Sequence, residues 1–282
     1  MAKFNSNIRF DIQAVNLNWY FDHYRGEVLS RGINETIEGA VYRDTLVVNG
    51  FDDNAIFWSD YYLSFAGTGL TGSANRGTIS GTVNVMAETY AYEDGQLYGL
   101  WGMSGFALAA QTINRAAKTD SNVDDIGVFR TALRGADTIT LSPYDDNMTG
   151  FAGNDTIYGY AGEDSISGGT GADRLYGGLG PDNFVFDDGE TGLGAARRDV
   201  IFDFRRNSDD IDLRLIDANT NTNMRGDQRF DFSGTTPAKN AVWFAASSTG
   251  VIVYGDTNGD RRADFEIDVR GVTFLTSTDF AL

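Results

Sequence analysis

The chain has 282 residues, with 40 acidic residues against 22 basic ones, and its formal net charge is −18 at pH 7. So acidic a surface repels phosphate backbones, which argues against binding of nucleic acid. The absence of cysteine excludes disulfides, thiolate catalysis and cysteine-ligated zinc. No apolar run reaches the length of about 18 residues that a membrane span needs, and the first residues lack a Sec-type apolar region. We therefore expect neither a membrane span nor a cleaved signal peptide.

Residues 1–120 are predicted to form a β-rich domain of unknown role, built from antiparallel strands. Apolar and polar residues alternate over 36–48 and 78–92, as is typical of half-buried strands. An aromatic cluster lies between these two stretches, comprising Phe57, Trp58, Tyr61 and Tyr62. Together with Trp101 it is a candidate ligand-contacting surface, although aromatic residues of β domains mostly belong to the core.

One or two helices are expected after these strands. The alanine-rich stretch from Ser104 to Arg115 predicts the first of them. Ser121 and Asp124 match a capping pattern and predict a second helix over 121–134. Its position directly before the repeats suggests that it caps the domain that follows.

Aspartates recur at every ninth position in the middle of the chain, at Asp137, Asp146, Asp155, Asp164, Asp173 and Asp182. An apolar residue follows each aspartate by two places, and a glycine precedes all but Asp146 by two places. Within each unit, a glycine-dependent turn and a short strand with its middle side chain inward account for this pattern. Two such units form one coil, which predicts a parallel β-roll over residues 135–190. With the strands predicted before it, the fold class is mainly β.

In such a roll, alternate aspartates lie on opposite edges. Asp137, Asp155 and Asp173 define the first edge, and Asp146, Asp164 and Asp182 define the second. Carboxylates stacked at a strand spacing of about 4.8 Å repel one another unless a cation lies between them. Ca²⁺ suits this position because it takes about six to eight oxygen ligands from carboxylates and carbonyls. We therefore expect several Ca²⁺ ions along the two edges.

The units GFAGNDTIY, GYAGEDSIS, GGTGADRLY and GGLGPDNFV resemble the nonapeptide G-G-x-G-x-D-x-U-x of RTX proteins. The resemblance implies that each ion lies between loops one coil apart and takes two aspartates and four loop carbonyls. It assigns one ion to Asp155 and Asp173, with the carbonyls of Phe151, Gly153, Gly168 and Thr170. It assigns another to Asp164 and Asp182, with the carbonyls of Tyr160, Gly162, Gly177 and Leu179. The pairs Asp137–Asp155 and Asp146–Asp164 fit less closely, because the first two units lack the leading glycines.

Residues 191–282 are predicted to form a β cap, with strands in VIVY and FEIDVRGVTF. This stretch resembles the C-terminal cap of serralysin-type metalloproteases and other type I secretion substrates. The resemblance implies an uncleaved C-terminal signal, ending in Thr278–Leu282, that an ABC-type exporter reads. It also implies a secreted, extracellular bacterial protein. A final strand would give the same kind of ending.

Two interpretations stay open for the acidic segment within this cap. It begins like a calcium loop, but the twelfth position, where an EF-hand needs an acidic residue, is Ile267. A shorter loop would bind an ion through Asp256, Asn258, Asp260, the carbonyl of Arg262, and Asp264. The other interpretation is a polar β-turn, because Asp and Asn are common turn residues.

Several enzyme classes are excluded or disfavoured. His23 is the only histidine and H-E-x-x-H is absent, so the chain is not a serralysin-type zinc protease. The segment Gly102–Phe106 misses the last glycine of G-x-S-x-G, which disfavours a lipase. The favoured function is calcium-induced folding after type I export, with an extracellular binding or matrix role through polysaccharide or self-association. The alternative is a polysaccharide-acting enzyme that uses carboxylates of the N-terminal domain.

Overall fold

The structure, a computed structural model, describes residues 1–6, 10, 12, 24–37, 40–51, 60–71, 80–91, 97–116, 122–220, 226 and 228–282. The chain divides into two compact units, Met1–Leu133 and Arg134–Leu282. The fold is mainly β with few helices, as the sequence predicts. Among the described residues, no helix has the length and apolarity needed to cross a membrane.

The first unit contains an antiparallel sheet. Its strands are β1 (Lys3–Ser6), β2 (Tyr24–Ile37), β3 (Ala40–Phe51), β4 (Asp60–Thr71), β5 (Ser80–Ala91) and β6 (Leu97–Ala109). Consecutive strands from β2 to β6 pair as neighbours, and β1 pairs with β6. The strands β3 and β5 correspond to the two stretches of predicted alternation. His23, Phe57 and Trp58 lie outside the described residues.

Two helices follow, α1 (Ala110–Ala116) and α2 (Asn122–Ala132). The prediction that a helix begins at Ser104 was wrong, because Ser104 pairs with Val85 inside the sheet. Phe106 and Leu108 are buried while the alanines that follow each of them are exposed, which is the two-residue period of a strand. Alanine favours helices, but pairing with β5 outweighs that local preference here.

The repeats form the coils of a parallel β-roll. Six short strands follow the six aspartates, namely β7 (Thr138–Thr140), β8 (Asn147–Thr149), β9 (Thr156–Tyr158), β10 (Ser165–Ser167), β11 (Arg174–Tyr176) and β12 (Asn183–Asp187). Strands β7, β9 and β11 pair in one sheet, and β8, β10 and β12 pair in the other, all in parallel. The apolar residue two places after each aspartate is at most 1% exposed. The prediction of inward side chains and two units per coil is confirmed.

Both parallel sheets continue beyond residue 190, where the sequence predicted the roll to end. The remaining strands are β13 (Asp199–Ile201), β14 (Asp210–Leu215), β15 (Asp231–Phe232), β16 (Ala241–Ala246), β17 (Gly250–Gly255), β18 (Phe265–Arg270) and β19 (Phe280–Ala281). Strand β13 extends the sheet of β11, and β14 extends the sheet of β12. Strands β16, β17 and β18 form an antiparallel meander that joins β13 through β18. The C-terminal strand β19 pairs with β14.

Candidate metal sites along the two edges

Each repeat aspartate after the first coil accepts a hydrogen bond from the aspartate one coil earlier. The backbone N–H donates and the Oδ1 atom accepts in every case. The distances are 2.7 Å from Asp137 to Asp155, 2.7 Å from Asp155 to Asp173, 2.8 Å from Asp146 to Asp164 and 3.2 Å from Asp164 to Asp182. The structure therefore brings the aspartates together in the two stacks that their spacing predicts.

Both stacks continue through two aspartates that sequence reasoning missed. The N–H of Asp173 donates to Oδ1 of Asp199 at 2.8 Å, and the N–H of Asp182 donates to Oδ1 of Asp209 at 3.3 Å. The separations of 26 and 27 residues differ from the 18 residues between stacked aspartates of the repeats, so the coil length of the repeats does not reach either residue. A signal was present, because Asp199 and Asp209 are each followed two places later by a buried isoleucine.

The other carboxylate oxygen of the stacked aspartates is the strongest indication of a metal. Within the described part of the chain, buried Oδ2 atoms without a hydrogen-bond partner include those of Asp155, Asp164, Asp173, Asp182 and Asp199. All five residues are at most 3% exposed. A buried carboxylate oxygen with no donor is costly. A cation between the coils would supply the missing interaction.

Burial also raises the pKa of these carboxyl groups. The pKa of Asp155, Asp164 and Asp199 rises from 3.8 to about 8. The pKa of Asp173 and Asp182 rises to about 6. Loss of solvent is the largest cause, and the negative charge of neighbouring carboxylates adds to it. The folded edges therefore disfavour unpaired negative charge at neutral pH.

Glycines in the loops leave the space that the carboxylates and carbonyls occupy. A Cβ atom at Gly168 would lie 2.3 Å from Oδ2 of Asp173. A Cβ atom at Gly171 would lie 1.6 Å from the carbonyl oxygen of Gly153, and Gly171 has a φ of +156°. The first position therefore requires glycine because the aspartate of the same loop lies against it, and the fourth because the neighbouring coil approaches closely.

Four of the carbonyls that the resemblance assigns to the ions accept hydrogen bonds between loops. Phe151 O accepts from the N–H of Thr170 at 2.8 Å, and Thr170 O accepts from the N–H of Gly153 at 2.9 Å. The corresponding distances on the second edge are 2.8 Å from Leu179 N to Tyr160 O and 2.9 Å from Gly162 N to Leu179 O. Each carbonyl has two lone pairs, so a second lone pair remains for an ion.

Phe151 and Tyr160 adopt backbone conformations that favour glycine. Their φ angles are 69° and 74°, while Gly169 and Gly178 occupy the same loop position in the next coil with φ of 79° and 95°. A non-glycine residue in this region costs about 1–2 kcal/mol. The loop geometry that both coils share therefore overrides the local preference of the two aromatic residues.

Asp146, at the start of the second edge, differs from the later aspartates. Its Oδ2 atom accepts hydrogen bonds from the N–H and the hydroxyl of Ser142, both at 2.8 Å. Ser142 stands at the second position of its unit, where the units of Asp173 and Asp182 have glycine. The protein itself thus satisfies the oxygen that would face an ion.

The acidic segment of the cap has the hydrogen bonds of a turn. Asp256 is buried and accepts from the N–H groups of Asn258, Gly259 and Arg261 at 2.8–3.1 Å. The other acidic side chains of the segment also accept from its own groups, with Arg262 N donating to Asp260, and Thr257 N and Asn258 Nδ2 donating to Asp264, each at 2.8 Å. These carboxylates face N–H donors, which favours the β-turn interpretation.

Across the residues that the structure describes, no group of three or more His, Cys, Asp or Glu side chains is placed to hold a metal ion.

Comparison with known proteins matches the repeats. The model of the RTX calcium-binding nonapeptide repeat (4 copies) matches residues 131–166 and 149–184. Comparison with curated proteins gave no match. Similar solved structures include AlgE6R3, a subunit of the Azotobacter vinelandii mannuronan C5-epimerase, which is 23% identical with a TM-score of 0.39 over 52% of this chain and 78% of that chain. The AlgE6R2 subunit is 22% identical with a TM-score of 0.36 over 52% and 88%. Likeness this distant carries no ligand or activity to the present chain.

Proposed function

The chain contains RTX calcium-binding nonapeptide repeats, and from this premise we propose a bacterial extracellular protein whose C-terminal half folds when calcium binds. RTX nonapeptide repeats bind calcium and are typical of secreted proteins. One observation carries the proposal for this chain: five stacked aspartates bury an oxygen atom with no hydrogen-bond partner among the described residues. Calcium between the coils would satisfy these oxygens and offset the repulsion of their charges.

The two best supported calcium sites lie between neighbouring coils, one on each edge of the roll. On the first edge, Asp155 and Asp173 would hold one ion with the carbonyls of Phe151, Gly153, Gly168 and Thr170. On the second edge, Asp164 and Asp182 would hold another with the carbonyls of Tyr160, Gly162, Gly177 and Leu179. Asp137 and Asp146 would complete weaker sites at the start of each edge, because the first two units lack the leading glycines. In addition, Ser142 already donates hydrogen bonds to Oδ2 of Asp146.

The same charges would keep the C-terminal half unfolded before export. In a cytosol poor in calcium, aspartates stacked one coil apart repel one another and lose solvent on folding. Extracellular sites of this type bind calcium with dissociation constants of about 10⁻⁴–10⁻³ M, so they would fill outside the cell and drive folding. An ABC-type exporter would read the C-terminal segment while it is extended. After folding, that segment forms β19 and pairs with β14.

A row of aromatic side chains supports an extracellular binding role. Tyr158 stacks on Tyr176 with ring centroids 4.8 Å apart, and Tyr176 stacks on Phe202 at 4.6 Å. The guanidinium of Arg270 lies 4.4 Å from the Phe202 ring centroid. Tyr158 is 37% exposed, so the row reaches solvent and could stack on sugar rings. Trp101, by contrast, packs against Phe129 in the core of the first unit.

Circular dichroism and hydrogen exchange with and without calcium test the proposal. We expect amides of residues 147–184 to exchange rapidly in EDTA and to become protected when calcium is added. Magnesium in place of calcium is the control, because it demands a tighter octahedral geometry. Equal protection of these amides in EDTA and in calcium would contradict calcium-induced folding.

A further inference from the structure

The two edges of the roll end in different surroundings. We call two successive stacked aspartates on one edge a step. The last step of the first edge joins Asp173 to Asp199, and the last step of the second edge joins Asp182 to Asp209. We propose that Asp173 and Asp199 bind a further calcium ion beyond the nonapeptide repeats, whereas Arg205 replaces the corresponding ion between Asp182 and Asp209. The proposal rests on the proposed binding of calcium between stacked aspartates.

The step from Asp173 to Asp199 has the features of the repeat sites. Oδ1 of Asp199 accepts from the N–H of Asp173 at 2.8 Å, as between repeats. The Oδ2 atoms of both residues are buried and have no hydrogen-bond partner within the described ranges, and the two residues are 0% and 1% exposed. Glu190, from the segment inserted between the two aspartates, adds a further negative charge that acts on both. By the spacing of the repeats, the carbonyls of Gly169 and Gly171 would be ligands.

The step from Asp182 to Asp209 contains a guanidinium. Nη2 of Arg205 lies 3.7 Å from Oδ2 of Asp182 and 3.6 Å from Oδ1 of Asp209. The same nitrogen donates a hydrogen bond to the carbonyl oxygen of Gly180. Ser208 Oγ donates to that carbonyl at 3.2 Å. Arg205 therefore contacts both carboxylates of the step and one backbone carbonyl.

The carbonyl of Gly180 identifies the place that Arg205 takes. Gly180 is the fourth residue of its loop, as Gly162 is one coil earlier and Gly153 is on the first edge. Those two carbonyls are proposed calcium ligands, so periodicity would assign the Gly180 carbonyl to an ion at this step. Arg205 uses it instead. Because a guanidinium is always charged, Arg205 would offset part of the negative charge between Asp182 and Asp209 without metal.

Native mass spectrometry of the full chain in calcium can count bound ions in the compact population alone. We expect Asp199→Asn to bind one ion fewer than the parent, because asparagine keeps the Oδ1 acceptor but loses the charge. Asp209→Asn is expected to bind as many ions as the parent. Arg205→Ala is expected to bind one ion more, since calcium can then enter between Asp182 and Asp209. The matched control is Arg206→Ala, which removes the neighbouring arginine that pairs with Asp279 at 3.1 Å and should leave the count unchanged.

An unchanged count in Asp199→Asn would overturn the additional site, and one ion fewer in Asp209→Asn would overturn the role of Arg205. An unchanged count in Arg205→Ala would also overturn that role. Because only compact molecules are counted, partial unfolding of a variant does not blur these outcomes. A parent chain that binds no calcium would instead refute the proposed function, which keeps the two failures distinct.

Discussion

Replacing Asp164 by asparagine should change the stability of the roll in opposite directions without and with calcium. Asparagine keeps an oxygen that can accept the 2.8 Å hydrogen bond from the N–H of Asp146. It removes the negative charge from the buried Oδ2 position, which has no hydrogen-bond partner in the described structure. Without metal, the lost charge should favour folding. With metal, the lost ligand should oppose it.

The structure gives a magnitude for each direction. Burial raises the pKa of Asp164 from 3.8 to about 8, so folding at pH 7 without metal requires the carboxyl to take up a proton. At about 1.4 kcal/mol for each pH unit between 3.8 and 7, this costs on the order of 4 kcal/mol, which Asp164→Asn removes. A site that calcium fills at about 100 times its dissociation constant stabilises folding by about 2.7 kcal/mol. Asp164 belongs to two proposed sites, so calcium should stabilise the variant by about 5 kcal/mol less than it stabilises the parent, which exceeds the charge cost that the substitution removes.

Hydrogen-exchange mass spectrometry on peptides from residues 147–184 measures both effects in the full chain. Glu163→Gln is the matched control, because Glu163 is the exposed acidic neighbour of Asp164 and should move neither value by more than about 0.5 kcal/mol. A variant less protected than the parent in EDTA would refute the argument from charge. A variant as protected as the parent in saturating calcium would refute the assignment of Asp164 as a ligand.

Three further predictions concern pH, the loop glycines and the core. In EDTA the folded roll binds more protons than the unfolded chain, since the pKa values of Asp155 and Asp199 rise from 3.8 to about 8. The urea midpoint of unfolding should therefore fall as pH rises from about 4 to 8. A midpoint that rises with pH would contradict the raised pKa values. Gly171→Ala should lower the free energy of unfolding by more than about 3 kcal/mol, because the added Cβ atom would overlap the carbonyl oxygen of Gly153. Gly189→Ala is the control, because Gly189 has a φ of +76° and open space around it, and it should lower the free energy of unfolding by about 1–2 kcal/mol. Equal losses for the two variants in thermal unfolding with calcium would rule out the close approach at Gly171. Ile166→Ala should cost about 2–5 kcal/mol because Ile166 is fully buried, whereas Leu179→Ala, at a side chain 68% exposed, should leave the urea midpoint nearly unchanged.

Most of the roll is predictable from its nine-residue period alone. Regular spacing of Asp155, Asp164 and Asp173 specifies the strand positions, the coil length and the edge of each carboxylate. The period could not show that the edges continue, because insertions before Asp199 and Asp209 shift the spacing while strand pairing restores the stack. The pattern of an aspartate two places before an apolar residue, taken without a fixed period, includes both.

Two other features depended on strand pairing and hydrogen bonds that the sequence pattern does not reveal. The stretch from Ser104 to Ala109 is rich in alanine and predicts a helix, but it completes β6 because β5 provides a pairing partner. The segment between Asp256 and Asp264 contains acidic residues at the spacing of a calcium loop. Its hydrogen bonds favour the turn interpretation, because three N–H groups of the segment donate to Asp256.

The most direct test is a crystal structure grown in calcium, with anomalous difference density measured to locate the ions. We predict anomalous peaks between Asp155 and Asp173 and between Asp164 and Asp182, each in contact with the Oδ2 atoms that have no hydrogen-bond partner in the described structure. Folded coils with no peak at either position would contradict the claim that calcium holds the stacked carboxylates together.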